Sequence, residues 1–363
     1  MSRRSDRRQR RQEKRNKNKK EYTIEDIASN DALYKSYKKS CKTIMFKESV
    51  QRYRLNLLFK NYESKQKLKA GKDVRQGLIS FKRSDRGKTR DIDSIHFAER
   101  VIQTALCTNV LQPGFFHKMI KENSASQKGK GTVFASKLFE QHFREFLRKY
   151  KAGYILLGDF SKYFENIDQE TVINFYKENI KDPILQQLCI NFVTIYKKGL
   201  GLGSEVSQFN AIMYLNEVDH WIKSKYKYFG RYMDDFYIIH HNKEELEQTL
   251  SKLLEMFTEL KVVVNTKKTK IIPITQPFTF LKTRYLFIDG KLVKKPHRSC
   301  ITRQRRRLKA QYRLFLKGVL QKIHIDRSFI SWVGSMKRRH ARKTIFEMKK
   351  YYNQALKGEN KWS

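Results

Sequence analysis

Three aspartates stand at positions where an acidic side chain needs an explanation. Asp159 follows the apolar run Gly153–Gly158, and Asp234 and Asp235 lie together between two further apolar runs. Carboxylates that are brought together raise each other's pKa unless a cation lies among them. Mg²⁺ suits such a place, because it binds through one or two carboxylates and keeps positions for water and substrate phosphates. Two such ions, about 3.5–4 Å apart, would stabilise the attacking and leaving oxygens of a phosphoryl transfer. An Asp-Asp pair is also common in hairpin turns, so the pair alone does not decide.

The composition indicates what surrounds these acids. The 363 residues include 78 Lys and Arg against 36 Asp and Glu, a net charge of +42. Hydrophobic residues make up 39% and aromatic residues 13%, which is enough for a core and excludes wholesale disorder. Such an excess of positive charge would strain a compact fold unless a polyanion neutralises it, and nucleic acid is the natural partner. A basic shell around a small acidic centre is what a nucleotidyl transferase requires.

Membrane and secretory roles find no support in the sequence. No apolar run approaches 18 residues, no lipidation signal is present, and the first twenty residues lack the apolar stretch of a secretory signal. The cysteines show no CxxC spacing, and we expect reduced structural thiols and a cytoplasmic location. They are Cys41, Cys107, Cys189 and Cys300.

The elements that must position the aspartates follow a β-α-β-β-α-β order, the split βαβ pattern that places two central strands side by side. Gly153–Asp159 is typical of a buried strand, and Tyr228–His240 of two strands with Asp234 and Asp235 at their turn. Ser207 is expected to open one amphipathic helix that continues through Leu215 to Ile222, and Asn242 to cap another with Glu245 three residues on. The remaining strands are expected at Lys270–Ile274 and Phe278–Ile288.

Three further regions flank this pattern. Residues 1–21 are expected to form a basic, disordered arm that folds, if at all, on RNA or DNA; a solubilising tail is the alternative. Residues 22–150 have helical spacing, interrupted by a hairpin over Leu78–Ile92 with a basic tip. Residues 291–363 have a helical pattern with 22 Lys and Arg against three acids, which suits binding a duplex by its backbone.

The aspartates belong to an ordered set of motifs that resembles reverse transcriptases. Tyr232–Asp235 resembles the YxDD box, Asp159–Phe164 the first palm motif and Gly199–Gln208 the second. Further similarities lie at Arg86–Ile92, Ala98–Leu106 and Lys128–Ala135 for the fingers, at Lys261–Ile271 for the fourth palm motif and at Phe280–Lys282 for the primer grip. The set spans residues 80–290 in the family's order. The resemblance implies an α+β right-hand polymerase: fingers at 22–150, a palm with a split βαβ antiparallel sheet and interleaved fingers segments at 151–290, and a small helical thumb at 291–363.

The resemblance also implies roles for single residues. Asp159, Asp234 and Asp235 would bind two Mg²⁺ ions, with Mn²⁺ as a substitute, and Lys268 matches the lysine proposed as general acid for pyrophosphate. A plain nucleic-acid-binding patch is the alternative for Lys268. The Phe160 carbonyl would complete the first metal site. Lys88 and Arg90 match the cations that bind the triphosphate, and Phe164 matches the steric gate against a 2′-hydroxyl, with a core position as its alternative. The full nucleotide-binding set would be Lys88, Arg90, Phe160, Phe164, Leu202, Gly203 and Gln208.

The second palm motif indicates a subfamily. The common bacterial form reads QGxxxSP, whereas here Leu202 stands before Gly203 and Gln208 replaces the proline. This form resembles the reverse transcriptases of diversity-generating retroelements, which copy a repeat RNA into cDNA with frequent errors opposite adenine. Lys282 departs from the family, which usually has glycine there. The resemblance implies template RNA, a primer or cDNA strand and deoxynucleotides as partners, with a small basic helical accessory protein. Two alternatives stay open: a phage-defence or abortive-infection reverse transcriptase, and a non-catalytic, maturase-like RNA-binding protein.

Overall fold

The computed structural model describes residues 20–85 and 88–356, apart from the side chains of Asp85, Lys88, Arg90, Ala355 and Leu356. The predicted basic arm therefore lies outside the described residues, except for Lys20 and Glu21. Within the described part, no helix combines the length and the apolar character that a membrane crossing requires. All four cysteines are unpaired and three of them are buried, as the sequence predicts.

The N-terminal region consists of helices and one largely exposed hairpin. β1 and β2 pair antiparallel from Leu78 opposite Ile95 to Asp85 opposite Lys88, which confirms the predicted hairpin. Its tip, residues 86–87, lies outside the described residues. The elements of this region are α1 (Asn30–Cys41), α2 (Glu48–Leu55), α3 (Leu57–Lys69), β1 (Leu78–Asp85), β2 (Lys88–Ile95), α4 (Phe97–Leu106), a π-helical turn (Cys107–Leu111), α5 (Gln112–Phe115) and α6 (Thr132–Lys149).

A four-stranded antiparallel sheet, here called the palm sheet, forms the centre of the molecule with the strand order β4-β5-β3-β6. The central pair β3 and β5 confirms the predicted split βαβ arrangement. The elements of this region are β3 (Tyr154–Gly158), α7 (Tyr163–Asn166), α8 (Gln169–Asn179), α9 (Pro183–Thr194), α10 (Glu205–Met213), α11 (Asn216–Lys225), β4 (Phe229–Tyr232), β5 (Asp235–His240), α12 (Lys243–Glu259) and β6 (Lys270–Pro273).

The structure confirms one of the two predicted helix N-termini and corrects the other. Asn242 caps α12 by accepting the backbone N–H of Glu245 at 3.0 Å, as predicted. The helix expected to open at Ser207 instead begins at Glu205, because Ser204 is the cap and accepts the Ser207 N–H at 3.1 Å. That helix also breaks at Leu215, so the predicted single helix is two, α10 and α11.

The C-terminal region begins with a second antiparallel sheet. The predicted single strand Phe278–Ile288 is two strands, because Leu281 and Lys282 both have positive φ and reverse the chain. The predicted helical pattern from residue 291 starts only at Arg298, since Lys291–Pro296 pairs with the preceding strand. The elements are β7 (Phe278–Phe280), β8 (Thr283–Ile288), β9 (Lys291–Pro296), α13 (Arg298–Leu316), α14 (Lys322–Lys337) and α15 (Arg342–Leu356).

Both faces of the palm sheet are buried, which explains the unbroken apolar character of β3. Leu156 and Ile238 lie in the main core, together with the N-terminal helices and α8 to α10. Ile155, Leu157 and Tyr237 lie in a second core on the other face, beneath the aromatic side of α6. Successive strand residues point to opposite faces, so a sheet covered on both sides needs apolar residues at every position. Asp159, directly after β3, therefore follows a strand that is held from both faces.

Candidate active site

The register of the palm sheet brings two of the three aspartates to one edge. Gly158, the last residue of β3, pairs with Phe236, the second residue of β5. Because the strands are antiparallel, the residue after Gly158 and the residue before Phe236 face each other, and these are Asp159 and Asp235. Asp159 is 5% exposed. Asp159 and Asp235, which follow and begin neighbouring strands, therefore lie side by side as predicted.

The turn between β4 and β5 carries the third aspartate. Tyr232 pairs with Asp235, so Met233 and Asp234 are the two residues of a tight hairpin turn. Met233 has a φ of 55°, in the left-handed region that an unbranched side chain can occupy at some cost. Asp234 thus projects from a turn whose two strands belong to the rigid sheet.

The acids affect one another electrostatically. Burial, together with the charges of Asp234 and Asp159, raises the pKa of the Asp235 carboxyl to about 7. Asp159 has compensating partners, since the Lys268 Nζ lies 2.8 Å from each of its carboxylate oxygens and Asn265 donates to Oδ2 at 3.0 Å. Burial lowers the pKa of Lys268, but its hydrogen bond and charge interaction with Asp159 outweigh this and raise it. The centre as a whole still favours an added positive charge.

The donor set fits a divalent cation in its chemistry. Three carboxylates, of which Asp159 is buried and the other two are partly exposed, offer the oxygen ligands that hard cations prefer. A cation would also remove the charge repulsion that adds to burial in raising the pKa of Asp235. As the side chains lie, no three acidic, His or Cys side chains within residues 20–85 and 88–356 are arranged to hold a metal ion. Lys268 contacts both oxygens of Asp159, so a metal ion at Asp159 has to displace this ammonium group or share the carboxylate with it.

The two predicted aromatic residues after Asp159 differ in burial. Phe160 is 3% exposed, and its ring packs against Tyr163 and, edge-on at 4.9 Å between centroids, against Phe257. Phe164 is only half-buried, packs against the rim of the main core and meets Tyr163 edge-on. Phe164 therefore lies at the rim of the core rather than within it, and its role as a steric gate stays a prediction.

The second palm motif is attached directly to the first. The Leu200 N–H donates to the Phe164 carbonyl at 2.7 Å, and a Cβ on Gly199 would lie 2.4 Å from that oxygen. Gly199 also has a φ of 59°, so a side chain is excluded there both by space and by conformation. Leu202 is half-buried, while Gly203 is exposed. The segment that contains the predicted nucleotide-binding residues is thus fixed next to Phe164.

Comparison with known proteins places this geometry in a family. The family model described as reverse transcriptase (RNA-dependent DNA polymerase) matches residues 81–284, more than half of the chain. The chain belongs to the reverse transcriptase family. The predicted family and the predicted α+β polymerase fold are thereby confirmed. Reverse transcriptase domains use divalent metal ions, in keeping with the acidic edge of the palm sheet.

Solved structures with similarity to this reverse transcriptase include two yeast telomerases. Apo telomerase from Candida tropicalis, truncated from its C-terminal domain, has a TM-score of 0.47 and 15% identity over 60% of this chain and 55% of that chain. Telomerase from Candida albicans in complex with a fragment of telomeric RNA has a TM-score of 0.46 and 12% identity over 84% of this chain and 64% of that one. The reverse transcriptase thus spans less than two thirds of either telomerase chain. Among curated proteins, no sequence matches it.

A cavity of about 410 Å³, lined mainly by polar and charged residue types, lies beside the second palm motif of this reverse transcriptase. Gly203 and Gln208, both predicted site residues, line it, and the Ser126 Oγ donates to the Gln208 Oε1 at 3.3 Å. Arg100 and Gln103 of α4 also line the cavity and were not predicted as site residues. Because they are three residues apart, Arg100 and Gln103 lie on the same face of the helix. This spacing is the feature of the two residues in the sequence that could have indicated a shared site.

For Lys88 and Arg90, the two cations predicted to bind the triphosphate, the structure describes the backbone only. The side chains of Lys88 and Arg90 lie outside the described residues, although both belong to β2. The backbone of β2 lies close to the second palm motif: a Cβ added to Gly203 would be 4.0 Å from the Asp93 carbonyl oxygen. The hairpin that carries Lys88 and Arg90 therefore lies next to the predicted nucleotide-binding segment.

Proposed function

We propose that this chain is an RNA-directed DNA polymerase that adds deoxynucleotides to a primer 3′-hydroxyl on an RNA template. The observation that carries the proposal is the meeting of Asp159 and Asp235 at the edge of the palm sheet, with Asp234 in the adjoining turn. These carboxylates would bind two Mg²⁺ ions, or Mn²⁺ in their place, which activate the attacking oxygen and stabilise the leaving pyrophosphate. An acidic cluster without such a role would only weaken RNA binding by a protein with a charge of +42, which disfavours a non-catalytic RNA-binding protein.

The remaining site residues have proposed roles around this centre. The accessible side of Phe164 would stack under the sugar and exclude a 2′-hydroxyl, while Lys88 and Arg90 would bind the triphosphate. Lys268 already contacts Asp159, and its ammonium group would be the general acid that donates a proton to the leaving pyrophosphate. The carbonyl of Phe160 would complete the first metal site.

The C-terminal region would bind the primer–template duplex. A cavity of about 650 Å³ lies where β7 to β9 meet α13 and α15, and its lining is rich in cations. They are Arg284, Lys295, Arg298, Arg305 and Lys343. Cations that neutralise phosphates release counterions, so the affinity for nucleic acid should fall steeply with salt concentration.

Within the family, we place this protein with the error-prone enzymes of diversity-generating retroelements. The support is the form of the second palm motif, in which Leu202 offers no hydrogen bond and Gln208 replaces a proline. The template would then be a repeat RNA, and a small basic helical accessory protein would assist. Sequencing the neighbouring DNA tests the assignment: a near-duplicate repeat pair that differs at adenines supports it, whereas antiviral genes favour a phage-defence enzyme.

The catalytic proposal is tested with the double variant Asp234→Ala/Asp235→Ala. We expect it to lose primer extension on an RNA template and to bind RNA as tightly as the wild type or slightly more tightly, because two negative charges are gone. The matched control is Glu244→Ala/Glu247→Ala, which removes two exposed acids from α12 and should extend primers normally. Extension that survives in the Asp234/Asp235 variant would overturn the catalytic assignment.

A further inference from the structure

A buried cation stands three residues before Asp234. Arg231 of β4 forms an ion pair with Asp219 of α11, and the two side chains are only 2% and 1% exposed. The contact is bidentate: Nε and Nη2 each donate to one carboxylate oxygen at 2.7 Å. Among the ion pairs of the described residues this one is the most buried, since the next, Lys294 with Glu140, has side chains 17% and 15% exposed. The pair needs an explanation, because buried ion pairs contribute little net stability compared with apolar residues of similar size.

The same guanidinium group reaches two further elements. Nη1 donates to the carbonyl oxygen of Met233 at 3.0 Å, in the turn directly before Asp234. Nη2 donates to the carbonyl oxygen of Ile212 at 2.8 Å, near the C-terminal end of α10. α10 is the helix that follows Gly203. Arg231 therefore connects the helix of the second palm motif with the turn that carries Asp234.

The surroundings hold this connection rigidly. The Asn123 side-chain amide donates to the Asp219 Oδ2 at 3.2 Å and so helps to orient the carboxylate. The backbone of the same loop pairs with β4: the Arg231 N–H donates to Glu122, and the Arg231 carbonyl accepts the N–H of Ser124 at 2.9 Å. Donors and acceptors around Arg231 are thus fixed by a loop, two helices and a strand.

We infer that Arg231, held by Asp219, is a positioning residue that sets the Asp234–Asp235 turn relative to α10. The inference rests on the proposed function, because positioning matters only if the turn carries catalytic acids. Arginine suits the role, since its planar group carries five N–H donors and can serve a carboxylate and two carbonyls together, whereas lysine is a single point of charge. A displacement of about 1 Å at a reacting centre costs on the order of 100-fold in rate.

The variants separate positioning from stability. Arg231→Lys keeps the charge but loses the fork, and Asp219→Leu/Arg231→Met replaces the whole pair with apolar side chains. An apolar pair of similar size can restore the stability of a buried ion pair, but it cannot donate to the carbonyls of Met233 and Ile212. We expect the double variant to stay folded but to unfold a few degrees below the wild type, because the two carbonyls lose their donor, while kcat for single-nucleotide incorporation falls on the order of 100-fold. The KM for the deoxynucleotide should change by less than about threefold, since no nucleotide contact is removed.

A second measurement does not depend on activity. Free Mn²⁺ is counted by electron paramagnetic resonance during titration of the full chain, and a displaced turn should weaken Mn²⁺ binding about tenfold or more in both variants. If the folded double variant has the kcat and the Mn²⁺ affinity of the wild type, Arg231 has only a structural role and the inference is overturned. If the double variant fails to fold, a folded Arg231→Lys protein with wild-type kcat and Mn²⁺ binding overturns it equally. A wild type that binds Mn²⁺ but extends no primer would contradict the proposed function, while the Mn²⁺ titrations would still test the positioning.

Discussion

Replacing Gly158 by alanine tests the close approach that forms the acidic edge. Gly158 ends β3 directly before Asp159, and a Cβ at this position would lie 2.1 Å from two ring atoms of Phe236, the neighbour of Asp235. The ring cannot turn away freely, because Phe236 is 2% exposed and packs against Phe160 and Phe257. The alanine methyl group therefore has to push β3 and β5 apart, and with them Asp159 and Asp235.

The expected magnitude follows from the overlap. An ordinary Cβ contact is 3.4–4 Å, so the strands or the ring must move by more than about 1 Å. Overpacking of this kind costs about 1–3 kcal/mol in the free energy of unfolding. A shift of about 1 Å between the two acids should lower the rate of nucleotide incorporation roughly 10- to 100-fold. Gly158→Ala should therefore lose far more activity than its loss of stability explains.

The assay pairs urea unfolding, followed by circular dichroism, with single-turnover incorporation on a primed RNA template. Gly334→Ala is the matched control, because this glycine lies in α14 and its Cβ would meet nothing within 4 Å. The control should keep full activity and gain about 0.5–1 kcal/mol, since alanine favours a helix over glycine. A Gly158→Ala protein with wild-type stability and activity would refute the register described for the acidic edge.

Three further predictions concern selectivity and pH. Phe164→Ala should incorporate ribonucleotides more readily, by a factor of about 10 or more for each ~1.4 kcal/mol of steric discrimination lost; unchanged discrimination would make Phe164 a core residue. Leu202→Gln should lower the error rate opposite template adenine, because an amide adds a contact worth ~1–3 kcal/mol to the correct pair; rare, evenly spread errors in the wild-type cDNA would contradict this. The pKa of Asp235 is raised to about 7 in the folded protein. Between about pH 4 and 7 the folded state therefore binds more protons than the unfolded state. The metal-free protein should lose stability as the pH rises through this window. Thermal unfolding in EDTA at pH 5 and 7 should show the loss, and Asp235→Asn should remove it.

The central strands and the acids they carry could be predicted because two independent patterns agree. The apolar run before Asp159 marks a buried strand, and the turn at Asp234 separates two more. Sheet order then follows from the split βαβ pattern, which leaves few ways to place β3 against β5. The site positions depended on the ordered motifs rather than on any single residue, since Phe164 alone resembles a core phenylalanine.

The errors have local physical causes. Ser204 and Ser207 are both good helix caps, and the structure uses the earlier one, whose extended backbone (φ −92°, ψ 138°) lets its side chain accept the Ser207 N–H. The turn at Leu281–Lys282 contains neither glycine nor asparagine, so it has no signal in the sequence. Arg231 looks like an exposed strand cation until the fold brings Asp219 against it. Long-range partners of this kind cannot be inferred from periodicity.

Primer extension by the wild type beside Asp159→Asn tests the central claim most directly. The substitution preserves the shape of the side chain and removes one charge from the end of β3, where Lys268 and Asn265 hold the carboxylate. A labelled DNA primer on a defined RNA template is supplied with deoxynucleotides and Mg²⁺, and products are resolved to single nucleotides. The account predicts template-directed extension by the wild type, its loss in EDTA, and at least a 100-fold lower rate in Asp159→Asn with unchanged template binding. A folded Asp159→Asn protein that extends the primer at the wild-type rate would contradict the account.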